Sequence, residues 1–270
     1  TEKAIDQALE EDRFSDAANL LYQFVWNDVC DWYVELAKPV IYGPVSPERS
    51  ATQLVLAQTL NRMMRLLHPF VPFITEELYS KLPIKTEALI VETYPTPRRD
   101  KEWLAMGSKE AAFEMSVVKE VITAIRNIRG ENQIKPGIEM PVRLAPSDAR
   151  VAKILEGNRA QITRLAKLKT LDIGDAGSLA KTAVSPVRLP EASVDVIVPL
   201  EGLVDIAEEV KRIQKNIEKA QKDFEVLSKK LSNENFVKNA PPELLAADKV
   251  TMESVKERLE RLNASLARLS

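Results

Sequence analysis

The sequence predicts a mainly α-helical protein: an antiparallel helical bundle, a small α+β module, and a C-terminal antiparallel two-helix coiled coil. Three observations carry that expectation. Apolar residues recur at helical spacing through most of residues 13–130. Short alternating runs then appear between 138 and 200. An unbroken heptad follows, through Leu203, Ile206, Val210, Ile213, Ile217, Ala220, Phe224, Leu227 and Leu231, and it resumes at Met252, Val255, Leu259, Leu262, Leu266 and Leu269. The implied divisions are 1–137 for the bundle, 138–201 for the connecting module and 202–270 for the hairpin.

The first helix spans 13–38, with Phe14, Ala18, Leu21, Val25, Val29, Trp32 and Leu36 on one face and Pro39 ending it. Ser46 is placed to cap a second helix that Pro47 opens, and that helix carries Leu56, Leu60, Met63 and Leu67 to His68 and Pro69. A short third helix covers FVPFITEELYSKL, with Glu76 and Glu77 read as acids near its positive end. Residues 83–107 are proline-rich and read as an irregular surface connection. A long helix from Ser108 to Gly130, burying Val118, Val121, Ile125 and Ile128, completes a four-helix bundle.

The strands of the α+β module are PVRLAP, KTLDIGD and VDVIVPL, with one or two short helices in 148–168. In the hairpin, Leu203–Leu231 and Pro241–Leu269 each cover about 29 residues, or roughly 43 Å at 1.5 Å per residue. Equal arms around the break SNENFVKNAPPEL suit an antiparallel pair that projects toward something large.

Composition excludes several classes. The chain has 270 residues, 45% of them hydrophobic, enough for a genuine core. It opens with Thr1 in a helical-looking run and so reads as a piece of a longer protein. No apolar run approaches a membrane span, and no signal segment is evident. One cysteine, Cys30, forbids an internal disulfide and suits a reducing cytosol, so a cytoplasmic location is expected. With one histidine, His68, a Cys/His zinc site is not expected.

Catalysis fails on inventory. A nucleophilic triad would have to use His68, which stands before Pro69 in the apolar string HPFVPF and reads as a cap or packing residue. No phosphate-cradling glycine motif occurs among eight glycines. No catalytic residue and no metal ligand is assigned.

Net charge is −2, and the pI is near 5.8, so a nucleic-acid partner would be met by local basic stripes. Lys119, Arg126 and Arg129 fall on one helix face, with Lys135 just after the turn; such a stripe can contact successive phosphates, or be an ordinary solvated face. The hairpin offers Lys211, Lys215, Lys219, Lys222, Lys229 and Lys230 among acids, which also fits the solubilising flanks of a coiled coil. Phe24, Trp26, Trp32 and Tyr33 form a possible stacking group; Trp32 sits on the apolar face and reads as core, while Tyr33 lies off it.

RFSDAANLLYQFVWNDVCDWYVELAK and RLLHPFVPFITEELY resemble the anticodon-binding helical domain shared by the class I aminoacyl-tRNA synthetases for valine, isoleucine and leucine. AIRNIRGENQIKPG resembles the segment that follows in the valyl branch, and LSNENFVKNAPPEL is similar to the tip of the coiled coil that ends bacterial valyl-tRNA synthetases. The isoleucyl branch more often ends in a cysteine-rich zinc module, which one cysteine does not allow. The resemblance covers residues 4–269.

The resemblance implies a parent ligase that joins valine to its tRNA using ATP. It also implies that this segment lacks the HIGH-type and KMSKS-type motifs and the editing insertion, holds no cofactor of its own, and is inactive alone. The implied partner is valine tRNA, with neither DNA nor membrane, and the implied state is a monomer. In the family the bundle meets the anticodon loop and the coiled coil reaches the tRNA elbow. The candidates for the anticodon side are Arg62, Arg65, Arg126, Arg129, Asn132 and Lys135; those on the arm are Lys211, Arg212, Lys215, Lys219 and Lys222. A reading from another class is a protein–protein scaffold without RNA binding, whose coiled coil binds a partner helix or dimerises.

Overall fold

The structure, a computed structural model, describes residues 1–83, 85–96, 107–233 and 241–269. The expected tip of the hairpin falls largely on 234–240, and the proline-rich connection partly on residue 84 and on 97–106; those stretches lie outside the described residues. The chain forms two compact units, 1–113 and 114–270. It is α+β: predominantly helical, with one small four-stranded sheet.

In the first unit, α1 (Glu2–Glu10) packs against α2 (Phe14–Gln23). The chain then runs without a break through a π-helical stretch, Phe24–Val34, into α3 (Glu35–Ile41). The wider π turn accounts for one departure from simple helical spacing. Val25, Val29 and Val34, four and then five residues apart, enter one cluster with Met63, Met64, Tyr79 and Leu89. Phe14, expected on the buried face, is exposed, and Ala17 is buried in its place. Pro39 lies inside α3 instead of ending it. The helix ends two residues later, where Gly43 passes so close that a Cβ would sit 2.9 Å from the Pro39 carbonyl oxygen.

Helix α4 (Pro47–Leu67) starts as its sequence dictates: the Ser46 hydroxyl accepts from Arg49 N–H at 3.1 Å, and Pro47 fills the first turn. Its far end closes a core of Ile5, Ala8, Ala17, Leu21 and Leu66. His68 follows α4, and its Nδ1 lies 2.9 Å from the hydroxyl of buried Thr75 in α5 (Pro72–Tyr79), a structural link between the two helices. Glu76 and Glu77 do not lie in the first turn of α5. Glu76 accepts instead from the backbone N–H groups of Leu89 and Ile90, at 2.8 and 3.2 Å, at the short 3₁₀ turn Leu89–Val91. Buried Tyr79 pins the same connection, accepting from Thr86 N–H at 3.1 Å.

The second unit takes in most of α6 (Lys109–Glu131), whose Val117, Val118, Val121, Ile122, Ala124, Ile125 and Ile128 are all buried. Then come β1 (Met140–Pro146), α7 (Ala149–Gly157), α8 (Arg159–Ala166), β2 (Leu168–Ile173), β3 (Thr182–Leu189) and β4 (Ala192–Pro199). The strand order is β2-β1-β4-β3; β1 and β2 are parallel, and the other pairs are antiparallel. Parallel pairing requires a crossover, which α7 and α8 provide while packing onto the sheet. Asp148 caps α7 by accepting from Val151 N–H at 2.9 Å; that bond, with help from the Ser147 hydroxyl, holds its carboxyl below the usual aspartate range.

β1, β2 and β4 fall where the alternating runs placed them. β3 had no such run, because Pro186 interrupts it; as the edge strand it tolerates a residue without an N–H.

After a turn at Glu201–Val204, Asp205 caps α9 (Ile206–Ser232), accepting from Ala207 and Glu208 N–H at 2.9 and 3.1 Å. Leu203, counted into the heptad, therefore lies before the helix. α10 (Pro242–Leu269) packs along α9 in the opposite direction, and Lys230 near the end of α9 pairs with Asp248 near the start of α10 at 2.7 Å. Burial follows the heptad. Ile213, Ile217, Ala220 and Leu269 are buried; Ile206, Val210, Phe224, Leu227, Leu231, Met252, Val255, Leu259, Leu262 and Leu266 are half-buried. Each fully buried isoleucine contributes about 2 kcal/mol.

Candidate nucleic-acid interface

The cationic candidates fall into three settings. Arg62 and Arg65 stand on α4, in the first unit, and both are turned to internal work. Arg62 Nε donates to Glu2 Oε1 at 2.7 Å, with side chains only 13% and 12% exposed, which ties α1 to α4. Arg65 Nε donates to the Thr93 carbonyl at 2.8 Å, and Glu92 lies 3.9 Å away.

The second setting is the end of α6. Arg129 spreads its guanidinium over four carbonyls: Lys135 at 3.2 Å and Ile138 at 2.6 Å through Nη1, Ala166 at 3.1 Å and Lys167 at 3.2 Å through Nη2. Ala166 and Lys167 close α8, whose last-turn carbonyls have no partner within the helix. Burial lowers the Arg129 pKa, yet a guanidinium so far above neutrality stays charged. Arg126 is exposed and its Nη2 donates to the Leu165 carbonyl at 3.2 Å; Asn132 donates to the Ile128 carbonyl at 2.8 Å; Lys135 is exposed. Lys167 joins this group unforeseen. It is exposed, adopts a left-handed backbone (φ 54°), and its Nζ lies 3.3 Å from the Pro136 carbonyl. Nothing in the spacing of 124–137 signals it, because the crossover brings it there.

The third setting is α9. Lys211, Lys215, Lys219 and Lys222 are exposed. At about 100° per residue they form one stripe, roughly opposite Ile213, Ile217 and Ala220, so it faces away from α10. Arg212 is different: it pairs with Glu209 at 2.5 Å, and Glu209 is 7% exposed.

The aromatic group separates as well. Phe24, Trp32 and Tyr33 are half-buried, and burial raises the Tyr33 phenol above its ordinary value. Trp26 is 56% exposed and lies parallel to Tyr22, 63% exposed, with ring centroids 6.4 Å apart. Tyr22 was missed, although its spacing of four residues from Trp26 is the signal. Beside them Asn27 donates to Gln23 at 2.7 Å, so an exposed amide pair flanks an exposed aromatic pair.

Among the described residues no cluster of His, Cys, Asp and Glu could hold a metal ion, and no helix is long and apolar enough to cross a membrane.

Comparison with known proteins finds two family matches along the chain. The anticodon-binding domain of tRNA ligases matches residues 1–144, and the valyl tRNA synthetase tRNA binding arm matches residues 205–270. The chain is 54% identical over 266 residues to valine–tRNA ligase of Bdellovibrio bacteriovorus, covering 98% of this chain and 30% of the relative. To the valine–tRNA ligase of Geobacter sulfurreducens it is 38% identical over 97% of this chain and 29% of the relative. To that of Geobacillus stearothermophilus it is 35% identical over 100% of this chain and 30% of the relative. The chain thus spans about 30% of the length of the curated relatives it matches. With residues 1–144 matching the anticodon-binding domain of tRNA ligases and residues 205–270 matching the valyl tRNA-binding arm, the chain belongs to the valyl-tRNA synthetase family.

Proposed function

We propose that this chain is the tRNA-holding part of a valine–tRNA ligase, whose whole joins valine to its tRNA at the expense of ATP. The observation that carries the reading is the pairing, on one chain, of an anticodon-binding domain with a valyl-type tRNA-binding arm. Residues 1–137 would grip the anticodon stem and loop, 138–201 would connect, and 202–270 would form an antiparallel coiled-coil arm that meets the tRNA elbow. A stiff pair of helices 27 and 28 residues long spans about 40 Å, enough to separate two contacts on one RNA. Two modest contacts on one chain reinforce each other through effective concentration. They also set the acceptor end for chemistry carried out in the portion of the relatives that this chain does not cover, so ATP and valine would bind there.

Within the grip, Arg126, Asn132 and Lys135 are the proposed RNA contacts beside α6, held in place by Arg129. Arg62 and Arg65 support the bundle, as their internal partners suggest. On the arm, the outward stripe Lys211, Lys215, Lys219 and Lys222 would face phosphates, with Arg212 fixed at the base. Tyr22 and Trp26 offer a stacking surface for an unpaired anticodon base. Because the seam is covered within one chain, the proposed state is a monomer; the proposed cytoplasmic location rests on the family alone.

The test is a fluorescence titration of the chain with an unmodified valine tRNA transcript at several salt concentrations. Reversing Lys215 and Lys219 to Glu should weaken binding and flatten the salt dependence, since fewer phosphates are neutralised. Unchanged affinity and slope would remove the stripe from the interface.

A further inference from the structure

Both ends of the helix pair return to the sheet beside one residue. Lys181, just before β3, holds a left-handed backbone (φ 54°), a conformation that is strained for a side-chain-bearing residue and persists only where its surroundings fix it. Its N–H donates to the Arg268 carbonyl in the last turn of α10 at 2.7 Å, where helix carbonyls have no internal partner. Its own carbonyl accepts from Leu200 N–H at 2.9 Å, directly after β4. Its Nζ lies 3.2 Å from Glu201, at the turn that leads into α9. Leu269, next to Arg268, is buried, and this end of α10 packs on β3. One residue therefore joins the finish of α10, the finish of β4 and the approach to α9.

We infer that Lys181 is the positioning residue of the arm: its backbone clamp fixes the direction in which the helix pair leaves the sheet, and through that direction where the arm meets its RNA. The inference rests on the tRNA-binding reading above and adds the device that aims the arm. A helix pair held only through the turn at Glu201–Val204 would swing. The second attachment, at the Arg268 carbonyl, converts a hinge into a bracket. Swinging spreads the far end over many positions and lowers the effective concentration of the arm's contact once the first contact has formed. The backbone carries the device, so the lysine side chain is secondary.

The experiment uses the full chain with Cys30→Ser, spin-labelled at Lys153→Cys on α7 and Gln221→Cys on α9, both exposed positions. The width of the inter-label distance distribution is measured, together with affinity for the valine tRNA transcript. Lys181→Gly keeps the N–H and accepts the left-handed backbone, so the narrow distribution and the parent affinity should persist. Lys181→Pro removes the donor, and Leu269→Asp prises off the buried end. Each should widen the distribution and weaken RNA binding by about tenfold. If Lys181→Pro loses far-UV helicity, Leu269→Asp decides. Distributions as narrow as the parent's in the folded variants overturn the clamp. Wide distributions with parent affinity overturn the positioning role. A parent chain without affinity for the transcript overturns the tRNA reading and the positioning role with it, while the widths alone still report whether the bracket holds.

Discussion

Arg129 on α6 closes the end of α8 by donating from Nη2 to the Ala166 carbonyl at 3.1 Å, and the same guanidinium reaches Ile138 at 2.6 Å. A residue chosen from its spacing as a phosphate contact thus knits a helix, a crossover and a strand entry together. Arg129→Ala should lower the stability of the second unit by about 2 kcal/mol, because several carbonyls lose a charged donor together. Arg129→Lys should recover only part of it, since an ammonium cannot span the same fork. Chemical denaturation followed by far-UV circular dichroism checks this, and equal stability of Arg129→Ala and the parent would contradict it.

The Arg62–Glu2 pair predicts a similar effect in the first unit. With both side chains nearly nine-tenths covered, removing one partner leaves the other poorly solvated. Arg62→Ala should cost about 2 kcal/mol, and Glu2→Gln alone less. In a double-mutant cycle the second change should cost little once the first is made. Strict additivity would show that the two side chains do not interact.

Seam and sheet should separate on mutation. Ile213 is 6% exposed among seam residues, and Ile213→Asp places a carboxylate there with no partner. The expected loss is about 3–5 kcal/mol confined to the helix pair, read as reduced helicity with the remaining helices intact. A parent-like spectrum and melting profile would mean that α9 and α10 do not depend on each other.

Tyr94 gives a prediction in pH. Its ring packs against the core of α1, α2 and α4, and burial, with Asp6 and Glu2 nearby, pushes its phenol up to about 12. The hydroxyl has no hydrogen-bond partner among the described residues. A folded pKa above the unfolded value of about 10 means that the protonated form favours folding; that contribution is complete below pH 10 and fades as pH rises toward 12. Tyr94→Phe should match or exceed parent stability at pH 7 and lose stability less steeply between pH 10 and 12. Parallel curves for variant and parent would contradict it.

What could be read from the residues, and what could not, divides along physical lines. The heptad was legible because a two-helix seam repeats one contact: every position read as apolar from Ile206 to Leu269 is buried or half-buried, although Glu209, outside the heptad, is buried as well. Ser46 with Pro47 was legible because capping is local. β3 was not, since Pro186 breaks its alternation and only its place at the sheet edge makes that tolerable. Pro39 misled because a π-helical stretch precedes it, and backbone phase cannot be read from apolar spacing alone. For the candidate site, residue type was legible but environment was not. Arg126 and Arg129 share a helix face, yet only the crossover that delivers α8 shows that Arg129 is taken up by carbonyls while Lys167 arrives beside it. Exposure likewise split the aromatics, leaving Trp26 with Tyr22 outside and Trp32 half-covered.

The most direct measurement is a salt-dependent binding titration of this chain against valine tRNA and one non-cognate tRNA. The two-grip reading predicts tighter binding to valine tRNA than to the other, at best micromolar, with affinity falling as salt rises. Equal affinity for both RNAs, affinity indifferent to salt, or no binding to either would contradict it.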